Sequence, residues 1–146
     1  MAERVSGFRR LPKKVLVVDS DSDTRVMFGY ALRADGHDVE ALRSVSELYD
    51  RILCLGAEAI SVVVVVLREV DTVLEILCRA LVIEGRITVL AVTALGPADA
   101  DARAALMGAT WFSKPLDVER VRTAVRTETQ RLAWREPRLE QLSQRR

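Results

Sequence analysis

The chain has 146 residues, 22 Lys and Arg against 21 Asp and Glu, and 49% hydrophobic residues. This length suits one domain, and the apolar share supports a packed core rather than a disordered chain. A net charge of +1 supplies no global field for nucleic acid or a membrane surface, and the longest apolar run, Ile60 to Leu67 with Ser61 inside, falls far short of the ~20 residues of a membrane span.

Residues 1–12 read as an N-terminal extension. Glu3, Arg4, Arg9 and Arg10 interrupt it and leave no long apolar stretch, so no signal peptide is expected and the cytoplasm is the default. A first strand is predicted over Lys14 to Asp19. Ser22 or Asp23 can cap the helix that follows, which Gly36 stops. Val26, Met27, Tyr30, Ala31 and Ala34 are its predicted buried stripe. A short strand, His37 to Ala41, leads to Ser44-Val45-Ser46-Glu47, a capping box that opens a second helix through about Leu53.

The third strand runs from Ala59 to Leu67, and its β-branched run predicts burial on both faces. Asp71 can cap a third helix that ends at Gly85. Val73, Leu74, Ile76, Leu77, Cys78, Leu81, Val82 and Ile83 cover more than one face of it, a surplus expected mainly in the core, with an interface as the other reading. The fourth strand is Ile87 to Ala94. A helix over Pro97 to Met107 stops at Gly108, and a short fifth strand spans Thr110 to Ser113. Asp117 caps a last helix running to about Ala133. Residues 13–133 thus form the domain, and 134–146, with Pro137 and four arginines, read as a frayed tail. Alternation of strands and helices predicts an α/β domain with a five-stranded parallel sheet, doubly wound. Cys54 and Cys78 have no CxxC or histidine partners and are expected as buried free thiols. His37, the sole histidine, has no second histidine or nucleophile beside it and is not expected to be catalytic.

Three strand ends carry groups suited to phosphate chemistry. The first strand ends in the acid Asp19, the fourth in the hydroxyl of Thr93, and Trp111-Phe112-Ser113-Lys114-Pro115 in an amine before proline. In this order and spacing the segments closely resemble the receiver domain of two-component response regulators, over residues 13 to about 130. The resemblance implies the flavodoxin-like strand order 2-1-3-4-5 and a site at the strand C-termini. In that family two acids hold Mg²⁺, an aspartate ending the third strand accepts the phosphoryl group, and a hydroxyl and a lysine grip the phosphate.

Here the acceptor position is Val66, which cannot be phosphorylated, and Ser20 replaces the second acid. Asp19, Ser20, Asp21, Val66, Thr93 and Lys114 therefore make up a vestigial phosphorylation pocket. Asp19 is expected to pair with Lys114, since an ammonium left beside a valine without a counter-charge is costly. Asp21 or Asp23 could reach in from the loop; a metal at Asp19 and Asp21 is a weak alternative, and no cofactor is expected. The loop Arg68-Glu69-Val70-Asp71 lacks the family's proline and glycine, and residual phosphotransfer onto Glu69 or Asp71 ranks last because the in-line geometry is lost. The switch-aromatic position falls on Trp111, three before Lys114, but the segment after Gly108-Ala109 is one residue short, so that Phe112 takes the role instead or neither does.

The expected function is that of a non-enzymatic, stand-alone atypical receiver acting through phosphorylation-independent protein–protein contact. The alternative is a ligand or ion sensor using the vestigial pocket. By resemblance, a protein partner or a second copy would dock on the fourth helix, fifth strand and fifth helix, at Ala102, Leu106, Trp111, Phe112 and Val118. The arginines of the tail are interleaved with Glu136 and Glu140 and lack a helix-turn-helix, so nucleic acid is not the expected partner.

Overall fold

The structure is a computed structural model and describes residues 13–67, 72–83, 87–93, 110–113 and 118–144. Five strands, β1 (Lys14–Val18), β2 (Asp38–Leu42), β3 (Ile60–Leu67), β4 (Thr88–Thr93) and β5 (Thr110–Ser113), form one parallel sheet. Its order is β2-β1-β3-β4-β5, as expected. The described helices are α1 (Ser22–Ala34), α2 (Val45–Leu55), α3 (Thr72–Ile83) and α4 (Val118–Gln144). The expected helix 97–107 and the Asp71 and Asp117 caps lie outside the described residues.

Both faces of the sheet are covered, which is why its central strands are apolar without alternation. Leu16, Val18, Val63, Val65, Val89 and Ala91 pack on one face against Leu48 of α2 and Leu74, Cys78 and Leu81 of α3. On the other face, Val15, Val17, Val62, Val64, Leu90 and Val92 meet Phe28 and Leu32 of α1 and Val121 and Val125 of α4. A register shift places Lys14 beside Ile60 but Val15 beside Val62, so Ser61 is an extra residue in β3. Such a bulge turns the strand, and Ile60 and Val62 accordingly enter opposite clusters. The buried Ser61 hydroxyl donates to the Lys14 carbonyl (3.3 Å).

Local chemistry explains the helix ends. Asp21, rather than Ser22 or Asp23, caps α1: its carboxylate accepts from the Thr24 amide (2.9 Å) and hydroxyl (2.7 Å). Ser44 caps α2 by accepting from the Glu47 amide (3.2 Å). The Glu47 carboxylate reaches back to the Arg43 amide (3.3 Å) and the Arg43 Nε (3.1 Å), one residue before the cap. The capping box therefore closes in shifted form. A 3-10 turn, Ala57–Ala59, follows Gly56 and precedes β3.

Three expectations about burial are corrected. The core face of α1 is Phe28, Gly29 and Leu32, whereas Val26 (66% exposed), Met27 and Tyr30 (77% exposed) face outward. Both sets follow helical spacing, and Phe28 and Leu32 bury more apolar surface against the sheet. The surplus of α3 divides: Leu74, Cys78 and Leu81 are buried, while Val73, Ile76 and Ile83 are exposed. Cys54 is exposed and only Cys78 is buried. The last helix also continues past Ala133 to Gln144, ~40 Å at 1.5 Å per residue. Among the described residues, no helix is long and apolar enough to cross a membrane.

Candidate functional site

The site lies at the carboxyl edge of the sheet. Asp19 follows β1 directly, and its amide extends the ladder by donating to the Leu42 carbonyl (3.0 Å). That anchoring draws the side chain inward: Asp19 is 1% exposed, so it is not a solvated loop acid. Its Oδ1 accepts from the Asp21 amide (3.0 Å), and its carbonyl accepts from Arg25 Nη1 (2.7 Å). These bonds tie the loop after β1 to the first turns of α1. Arg25 was not singled out from the sequence; its position six residues after the strand-end acid is the only signal it carries.

Ser20 and Asp21 are exposed. The Asp21 carboxylate is engaged in capping α1, which opposes its use as a metal ligand, and Asp23 sits exposed within the first turn. Among the described residues, no group of three or more His, Cys, Asp or Glu is placed to hold a metal ion.

Val66, one residue before the end of β3, pairs with Val92, and Val65 pairs with Val18. Asp19 therefore falls level with Val66 on the neighbouring strand, ~4.8 Å away across the sheet. Val66 is half-buried and packs against the α1–α4 core cluster. The position that would carry an acceptor carboxylate thus extends the hydrophobic core to the rim of the sheet. Thr93 ends β4, with Leu67 and Ser113 as its register partners. Lys114 lies outside the described residues, and with it the expected Asp19–Lys114 pair.

Of the expected contact residues, Ala102 and Leu106 lie outside the described residues, and Trp111 is placed by its β5 backbone opposite Ala91. Phe112 and Val118 are half-buried against the α1–α4 cluster. The Arg120 guanidinium stands over the Phe112 ring, 5.6 Å from its centroid, a cation–π arrangement that fixes the start of α4 against β5. The outward side of α4 is polar, with Glu119, Arg120, Thr123, Arg126, Thr127, Gln130 and Arg131 exposed.

No protein-family model matches the sequence, and no curated protein is recognisably similar to it. Solved structures are similar in fold. A response regulator receiver domain protein from Clostridium thermocellum is 24% identical with a TM-score of 0.68, over 82% of this chain and 95% of that one. The chemotaxis protein CheY4 of Vibrio cholerae is 19% identical with a TM-score of 0.67, over 81% and 99%. A CheY-like receiver domain protein from Methanospirillum hungatei is 15% identical with a TM-score of 0.69, over 84% and 98%. At these identities the likeness is one of architecture, and the chain has the doubly wound parallel fold of response regulator receiver domains.

Proposed function

We propose that this domain acts in signalling by binding a protein partner without being phosphorylated. Val66 carries the reading. It is the penultimate residue of β3, level with the buried Asp19, joins the core instead of offering a carboxylate, and has no side-chain oxygen that could form an acyl phosphate. The exchange of an acid for Ser20, and the use of Asp21 as a helix cap, point the same way.

In this reading the contact surface is centred on β5 and the outward side of α4, and a second copy can occupy it as well. Thr127→Glu with Gln130→Glu, both on the exposed side of α4, would leave the fold intact and reduce partner capture or self-association. If all such contacts survived, the surface would lie elsewhere.

The phosphorylation arm is tested by amide NMR spectra of the domain, titrated with Mg²⁺ and then beryllofluoride, a mimic of an acyl phosphate. Unmoved resonances for Asp19, Ser20 and Val66 are expected. Saturable shifts at these residues would overturn phosphorylation independence and revive the site as a switch.

A further inference from the structure

The turn from α1 into β2 closes as a Schellman motif. Gly36 takes φ +92, its amide donates to the Arg33 carbonyl (2.9 Å), and the His37 amide donates to the Leu32 carbonyl (3.2 Å). Gly36 is needed here because that φ lies in the left-handed region. The closure fixes His37 at the corner where α1, β2 and α4 meet. Its ring is half-buried, and Nε2 is buried with no hydrogen-bond partner.

A neutral imidazole tolerates this arrangement, because Nε2 can serve as the nitrogen without a proton. A protonated ring would place an N–H donor where no acceptor receives it. Charged groups face the corner from both sides. Asp35 comes from the end of α1 and Arg126 from α4, acting on the ring with opposite sign. Arg122 of α4 holds both oxygens of Asp35 and also contacts Glu119 (2.6 Å). Arg33 is committed to the Val39 carbonyl of β2 (3.0 Å). The carboxylate that would best receive an imidazolium is therefore the one that clamps α4 to α1.

We propose that His37 is a proton-operated release for α4: protonation of its ring loosens the hold of α4 on the α1–β2 corner. A positive ring gains by drawing Asp35 away from Arg122 and by moving away from Arg126, and both adjustments detach the same helix. Burial, reinforced by Arg126, holds His37 below its ordinary value of 6.5 against the pull of Asp35. The folded state thus prefers the neutral ring. Its contribution to stability is complete above the unfolded value and is lost as pH falls through the folded one.

His37 is the sole histidine, so the side chain that ordinarily titrates between about pH 5 and 8 has a single copy here. The test is amide hydrogen exchange, corrected for intrinsic rate, at about pH 7.5 and about pH 5.5. Val118 to Arg131 should exchange several-fold faster at the lower pH relative to β1 and β3, and His37→Gln should abolish the difference. The proposal is overturned if the variant keeps the wild-type response, or if acid accelerates exchange equally across the sheet. A direct NMR titration of the His37 ring serves should the variant misfold. A midpoint at or above that of a free histidine would also overturn the proposal, and one below it agrees with the buried neutral ring.

Discussion

Arg122 reaches from α4 to the residue that closes α1 and holds the Asp35 carboxylate with two nitrogens, Nε lying 2.8 Å from Oδ2 and Nη2 against Oδ1. The two residues are 87 positions apart, so the pair joins the first and last helices over one face of the sheet. Planar two-point contact is what a guanidinium provides and an ammonium does not. The Arg122 hydrogen bonds outweigh burial and hold the Asp35 carboxyl below its ordinary value of 3.8.

A lowered carboxyl contributes stability above its unfolded value and loses it as pH falls through the folded one. Arg122→Met should therefore melt at a lower temperature at neutral pH. It should also lose less of its remaining stability than wild type between about pH 5 and about pH 3. Melting temperatures across that range check both statements, and parallel curves would mean that the clamp does not stabilise the fold.

Helix capping gives a second, smaller prediction. Asp21 satisfies two groups of Thr24, and Ser44 satisfies the Glu47 amide. Asp21→Ala and Ser44→Ala should each cost about 1 kcal/mol, the usual loss for an N-cap. Urea unfolding resolves this. A loss at Ser44 with none at Asp21 would mean that the loop after β1 is held by Asp19 and Arg25 alone.

The two sides of α3 separate packing from exposure. Leu81 is 5% exposed in the core, while Ile76 is 64% exposed on the same helix. Leu81→Ala should cost about 2–5 kcal/mol through lost burial and a residual cavity. Ile76→Ser should stay within about 0.5 kcal/mol. Equal losses in urea unfolding would show that the outer stripe of Val73, Ile76 and Ile83 is covered in solution.

How far the sequence was legible follows from which signals were local. The β-branched run of β3, the Ser44 cap and the glycine ending α1 depend on neighbouring residues, and each appears where it was read. The face of α1 was misread because Val26, Met27 and Tyr30 fit helical spacing as well as Phe28 and Leu32 do. Only the tertiary placement of the helix against Val15 and Val64 decides between them. Cys54 likewise shares its helix with the buried Leu48 but lies on the outer side of α2. At the site, Asp19 and Val66 could be named from their strand ends, while the role of Arg25 depends on a turn whose geometry no short motif specifies.

Val66→Asp is the most direct probe of the rim of the sheet. The substitution would set a carboxylate beside the buried Asp19, level with it on the adjacent strand. Two acids at that separation repel, and one is forced toward its protonated form. The change also removes an apolar side chain from the cluster that includes Phe28 and Val92. Together these effects should lower stability by about 1–3 kcal/mol, the scale of a poorly satisfied polar group under partial burial. A divalent cation between the two carboxylates would offset the repulsion, so Mg²⁺ should raise the melting temperature of Val66→Asp and leave wild type unchanged. Stabilisation of both proteins would place a cation site in the native rim, with Asp19 as its centre. Stabilisation of the variant alone would mean that the missing β3 carboxylate is what separates this rim from a metal-binding one.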